Sequence, residues 1–499
     1  MSALRINILA NYAGQVWIAL MGIVFMPMYM RLLGLESFGL VGLMLSFQAI
    51  LQLFDFGIGG AANRELSRRA HDRTLDSSSH DLVRTSEAVI WTLTTAIILL
   101  SWSGSHILAN HWLHLNQLTP EQATRAIIIM GLAIALLWPS TFYANCLSGL
   151  ERQPQLNFIQ AVFATLRYAG VLPVMWWITP TIEVFLYWHV LVGTLQSMVT
   201  GWLVWHYMPP SQRSAQCSFK ALASSRRFAG GLFAVGVVAM GVSQLDRFVL
   251  TSLRPLEEMG YYTLALSVAA GLGRMVQPMF NALYPRFSRL VAQQNESGIL
   301  ELYHLSSQYL AAVLAAIAAV LVVFAYEVLW LWTGDAVLAV KVAPTLQLLV
   351  LGTALNGLMS IPYALQLAHG WTRLALGLNA LSLLIGLPLC LWAVQQYGML
   401  GAAAPWLLGN LISIVIGIPL MHHRLLSGQA LRWYIYDNLP PLMAGIIVAH
   451  TLHLLLPILH RDWIAIVWLG LASGGTLLAC FLVIPPTYAV LRKTRLFII

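Results

Sequence analysis

The sequence predicts an all-α, polytopic membrane protein of about fourteen transmembrane helices: two six-helix bundles related by a parallel repeat, followed by two further helices. Three observations predict it. Of 499 residues, 59% are hydrophobic and only 9% are charged, whereas soluble domains carry about 25% charged residues. The apolar residues are gathered into runs long enough to cross a hydrocarbon layer of ~30 Å at ~1.5 Å per residue. The chain also matches itself without a gap at an offset of 221 residues. In lipid only closed backbone hydrogen bonding is stable, so runs of this length must be helices.

The runs cover 7–33, 38–61, 85–108, 123–149, 156–178, 182–208, 228–253, 261–284, 303–332, 344–369, 374–394, 402–421, 440–459 and 463–485. The first is longer than the apolar core of a signal peptide, so it reads as the first spanning helix. With the N-terminus inside, nineteen of the 27 lysines and arginines fall in cytoplasmic segments, against four in outer connections. That asymmetry fixes the orientation and places both termini in the cytoplasm. The longer connections, 63–84, 209–227 and 285–298, then all face the cytoplasm, and the outer ones are short. No soluble domain is expected.

At the 221-residue offset Glu36 and Gly39 match Glu257 and Gly260, Ser46 matches Ser267, Ser67 and Arg68 match Ser288 and Arg289, and Gly149 and Arg152 match Gly370 and Arg373. These are mostly loop and helix-end residues, not the leucines that match by chance. Six spans per repeat preserve orientation, so the halves are related by an axis along the membrane normal, an arrangement common in secondary transporters. The expected organisation is a first bundle at 1–208, a linker at 209–227, a second bundle at 228–433 and two additional helices within 434–499.

The net charge of +8 is scattered between apolar runs and forms no nucleic-acid-binding patch. Of the four cysteines, Cys146, Cys390 and Cys480 lie in apolar runs and read as packing residues. No metal-ligand spacing appears, and no P-loop, HExxH or GxSxG in a suitable context. No cofactor, metal or catalytic set is therefore expected, and transport, if it occurs, is not driven by ATP hydrolysis on this chain.

An ionised group at mid-bilayer costs at least ~2.5–3.5 kcal/mol, so each needs a reason. Arg274 lies ~20 Å into the eighth span and Arg167 ~16 Å into the fifth. Each should face a cavity or a carboxylate; the competing reading is a structural ion pair or a bond to backbone. Arginine suits phosphate, because its planar fork binds two oxygens and keeps its charge when desolvated. Asp246 and Arg247 are neighbours in the seventh span and point ~100° apart, so they do not pair with each other. Arg247 is a third candidate for binding an anionic cargo, with extension toward the interface as the competing reading. Asp246 and Asp55 are candidates for a counter-ion or a protonatable coupling group, with structural pairing as the alternative. His189 reads as a packing histidine, and Glu183 and Glu327 as interfacial.

The stretches SQLDRFVL (243–250), EEMGYYTLALS (257–267) and PRFSRL (285–290) resemble the polysaccharide biosynthesis flippases, within the multidrug/oligosaccharidyl-lipid/polysaccharide exporter superfamily. So do GLESFGLVGLMLS (34–46), LFDFGIGGAANRELSR (53–68), LGTALNGLMSIPYALQLAHGWTR (351–373) and GMLGAAAP (398–405). The resemblance covers roughly the first twelve spans, and order and spacing carry it. It implies two bundles around a central cavity, alternating access, and translocation of an undecaprenyl-diphosphate-linked oligosaccharide, such as an O-antigen unit, across the bacterial inner membrane. It allows H+ or Na+ as a coupling ion and glycan polymerase machinery as a partner. Asp246 and Arg247 stand in the family's Asp-Arg motif and Asp55 in its Asp-x-Gly motif; Arg167 and Arg274 match no motif and rest on depth alone. Two other classes compete. A multidrug cation antiporter needs acidic cavity groups, but arginines outnumber acids at depth. A glycan polymerase or ligase needs large outer loops, and these are short.

Overall fold

The computed structural model describes residues 14, 16–51, 58–71, 77–208, 213–217, 226–455 and 463–484. Among these residues the chain is helical throughout, with one isolated bridge, between His114 and Pro255. The helices are α1 (Val16–Leu33), α2 (Leu35–Leu51), α3 (Ile58–His71), α4 (Ser78–Trp112), α5 (Pro120–Gly149), α6 (Gln153–Trp177), α7 (Ile182–Tyr207) and α8 (Arg226–Leu253). Then come α9 (Leu256–Ala292), α10 (Glu296–Val323), α11 (Ala325–Thr333), α12 (Ala336–Ala368), α13 (Arg373–Tyr397), α14 (Met399–Leu425), α15 (Leu439–Leu454) and α16 (Trp463–Leu482). Every one of the fourteen apolar runs contains helix. Ten helical stretches among the described residues are long and apolar enough to cross a membrane, and α2 is a shorter apolar helix. The chain is a multi-pass helical membrane protein.

The helices overrun their apolar segments. The connection expected at 285–298 is largely helix, because α9 continues for 37 residues through Pro278 and Pro285 to Ala292. It stops at Gln294, whose φ of 52° is left-handed, and the Asn295 side chain then accepts the Gly298 N–H to cap α10. The connection expected at 63–84 is likewise mostly α3 and α4, and Lys341, expected in an outer connection, lies within α12. Hydropathy reports depth in hydrocarbon, whereas helix ends are set by caps and left-handed residues.

The described contacts divide the chain into two compact units, Met1–Gly260 and Tyr261–Ile499. This division falls later than the 209–227 linker, because α8 packs on α2 in the first unit, with the Phe47 and Phe248 rings 5.6 Å apart. The repeat has a structural counterpart in that unit. A Cβ on Gly39 would lie 2.3 Å from the Leu256 carbonyl oxygen, and one on Gly260 would lie 2.4 Å from that of Leu35. Leu35 and Leu256 are themselves related by the 221-residue offset, so the contact is isologous, as across a two-fold axis. Only glycine permits this backbone approach. Glu36, matched to Glu257, is buried and accepts backbone N–H groups from Asn116, Gln117 and Leu118, which ties the loop before α5 to α2. The Thr119–Gln122 capping box then starts α5.

In the second unit the last two helices dock on α10. Ala312, Ala315 and Ala316 pack with Cys480 and Ile484, and Ala319, Val320 and Phe324 with Ala449 and Ala472. Lipid offers no hydrophobic drive for helix association, so small residues that allow close van der Waals contact do this work.

Replacing Gly39 or Gly260 with valine should overpack the symmetric contact and cost about 1–3 kcal/mol in each case. Gly377→Ala, with no atom within 4 Å of the added carbon, should leave stability in detergent unchanged. Equal melting temperatures for all three variants would contradict the close approach.

Candidate functional site

Arg167 lies on α6, beside a break in that helix. The Gly170 N–H bonds Thr165 O, not Leu166 O, and Leu172 bonds Ala169 O. The Leu166 and Tyr168 carbonyls are thereby released from the helical ladder. A freed carbonyl in an apolar medium needs a donor. Trp188 Nε1 donates to Leu166 O at 2.8 Å, and the Tyr29 hydroxyl donates to Tyr168 O. Trp17 Nε1 holds the same turn through Thr165 Oγ1 at 2.8 Å.

Beside that turn is a cavity of about 350 Å³, lined from α1, α2, α5, α6 and α7. Its polar wall includes Gln48, Thr141, Gln160, Arg167, Gln196 and Thr200, and among the described residues no Asp or Glu lines it. Arg167 Nη2 donates to Gln196 Oε1, while its Nε is buried with no hydrogen-bond partner among the described residues. Among the described residues no carboxylate pairs with Arg167. The alternative reading of an ion pair is thus not what these residues make: an amide oxygen stands where a carboxylate would.

Arg247, on α8, is bonded sideways. Its Nη1 donates to Gln244 Oε1 at 2.7 Å and lies 3.4 Å from the buried Ser46 Oγ on α2. Asp246 is buried beside it on the same helix. Successive α2 residues therefore serve three neighbours: Ser46 meets Arg247, Phe47 meets Phe248, and Gln48 lines the Arg167 cavity. Asp55 lies outside the described residues. His189 is buried, bonds the Phe185 carbonyl of its own helix at 2.8 Å and packs on the Phe185 ring, as expected of a packing histidine.

Arg274 belongs to the second unit. It is exposed, and among the described residues it has no hydrogen-bond or ion-pair partner. Gln277 and Asn281, one and two turns on, are also exposed and bond each other at 3.0 Å. Positions i, i+3 and i+7 share one helix face. Beside it the Phe280 ring stacks on Tyr284 at 6.1 Å and on Tyr363 of α12 at 6.0 Å.

The residues missed by sequence reasoning form a buried cluster around Asp437, which is fully enclosed. Its carboxylate is held by His304 Nδ1 and, at 2.9 Å, by Gln308 Nε2, both on α10. His304 Nε2 in turn meets Gln429 at 3.1 Å, and neighbouring Tyr303 meets His422 at 3.1 Å. Asp437 sits in a π-helical turn, Trp433–Asn438, leading into α15. Glu183 and Glu327, expected at the interface, are paired: with Arg125 and with His453, each at 3.1 Å.

Many spans, a helix break whose freed carbonyls find side-chain donors, and two half-buried arginines bonded to amide oxygens in the first unit define a helical membrane protein. Residues 4–291 match the polysaccharide biosynthesis protein family, and the chain belongs to it. Residues 233–392 also match the MatE family. The chain is 21% identical over 381 residues to a Shigella flexneri protein described as a candidate O-antigen transporter, covering 75% of this chain and 87% of that one. Two solved structures share the fold. An inward-facing multidrug resistance MATE family transporter of the MOP superfamily has a TM-score of 0.68 at 15% identity, covering 83% of this chain and 94% of that one. The lipid II flippase MurJ, in an inward closed conformation, has a TM-score of 0.68 at 12% identity, covering 94% and 97%.

Replacing His304 with leucine leaves the buried Asp437 carboxylate short of a partner and should cost about 3–5 kcal/mol. The His304→Leu/Asp437→Leu double variant should recover much of that loss, as read from unfolding in detergent. Additive single-variant losses would show that the two side chains do not act as a pair.

Proposed function

We propose that this protein is a flippase that moves an undecaprenyl-diphosphate-linked oligosaccharide, an O-antigen or related surface glycan unit, across the bacterial cytoplasmic membrane by alternating access, with both termini in the cytoplasm. The observation that carries the reading is the Arg274 face of α9. An exposed guanidinium with no protein partner among the described residues is suited to a diphosphate. Gln277 and Asn281, extending ~10 Å along the helix from Arg274, offer amides to sugar hydroxyls. The Phe280, Tyr284 and Tyr363 rings offer flat surfaces on which sugar C–H faces can be buried. Arg247 adds positive charge in the first unit. Family membership, the O-antigen transporter relative and the lipid II flippase fold support the same class of cargo.

A cation antiporter is disfavoured, because the wall of the Arg167 cavity carries a cation and, among the described residues, no acid. An H+ or Na+ gradient is the proposed drive, with Asp246 and Asp55 as the candidate coupling groups. Cooperation with a glycan polymerase in the same membrane fits the cargo.

In a strain lacking its own flippase, the wild-type chain should restore surface glycan. Arg274→Ala should reduce that restoration at least tenfold at unchanged protein abundance, and Arg274→Lys should keep part of it. Full restoration by Arg274→Ala would remove this face from the site.

A further inference from the structure

Arg167 is the one candidate cation whose setting the flippase reading does not use. It lines a cavity bounded by five helices of the first unit. At about 350 Å³ that cavity lies at the lower end of small-molecule sites, far short of an oligosaccharide on a lipid. Its charge is permanent, since guanidinium is not deprotonated in proteins. Among the described residues it makes one bond, to the amide oxygen of Gln196, and its Nε is buried without a partner. The rest of the polar wall supplies groups that can donate to an anion: the amides of Gln48, Gln160 and Gln196 and the hydroxyls of Thr141 and Thr200. The side chain is half-buried, and its enclosed Nε is the part that needs compensation.

We propose that this cavity, within the first unit, binds one small anion on Arg167. The chemistry required is a halide or a compact oxyanion. Free chloride or phosphate can supply it, and so can a phosphate of the carrier lipid.

Gln196 makes the proposal testable without deleting the arginine. Its Oε1 already accepts from the guanidinium, so Gln196→Glu places a carboxylate there with almost no change of shape. The experiment measures the melting temperature of the purified full-length protein in detergent. It titrates sodium chloride and sodium phosphate against sodium gluconate at constant ionic strength, and undecaprenyl diphosphate in a parallel arm. Wild type should be stabilised saturably by chloride or phosphate over gluconate. Gln196→Glu should melt higher than wild type in gluconate and lose the anion response. Arg167→Gln should lose the response at least tenfold in apparent affinity, and Arg167→Lys should keep part of it. If Arg167→Gln does not fold, Gln196→Glu still decides.

Stabilisation by undecaprenyl diphosphate alone, lost in Gln196→Glu, would support the anion site and assign it to the lipid headgroup. A wild type indifferent to every anion would mean that the chain meets the charge itself and would overturn the proposal. So would a Gln196→Glu variant that still responds as wild type does. None of these readings involves transport, so failure of the flippase reading and failure of this one are separable.

Discussion

The cost of an ionised or unbonded polar group in an apolar medium is the constraint on which the rest of the structure depends. It makes the chain helical, because a helix closes its own backbone bonds. It also explains the side chains around the break in α6. Where Gly170 shifts its hydrogen bond, two carbonyls lose their helical partners, and a tryptophan and a tyrosine from other helices supply the missing donors. The same rule governs the Asp437 carboxylate, enclosed only because His304 and Gln308 reach it. Arg167 is the departure from it. Its compensation within the described residues is one amide oxygen, and departures of this kind in membrane spans mark function more often than decoration.

The repeat gives the first unit its organising contact. Gly39 and Gly260 each lie against the backbone of the other's preceding leucine, so duplicated sequence produces duplicated geometry. α2 carries that contact near its start and then presents Ser46 to Arg247 and Gln48 to the Arg167 cavity. One helix therefore joins the symmetric contact to both half-buried arginines of the first unit.

Much of this was legible in the sequence, for definite reasons. The spans were, because hydropathy over ~20 residues measures what the bilayer selects. The repeat was, because glycines and helix-end residues at a fixed offset have few substitutes. Arg167 and Arg274 were found by depth alone. Their surroundings were not, since Gln196 meets Arg167 from the far side of a turn 29 residues on and no local pattern announces it. Helix ends were misplaced at 285–298, where the apolar run ended and the chain stayed helical. The Asp437 cluster was invisible because its aspartate lies in what reads as a polar connection, while its histidine partner is 133 residues away. Asp55, singled out by its motif, falls outside the described residues.

The central claim is that the cargo is an anionic, lipid-linked glycan. Its most direct test is translocation by the purified protein in liposomes, with undecaprenyl-diphosphate-linked oligosaccharide placed in one leaflet and its sugar detected from the other by an impermeant lectin. The account predicts protein-dependent appearance of sugar at the far leaflet, with no transport of a cationic dye under the same gradient. Dye transport without movement of the glycan lipid would contradict it.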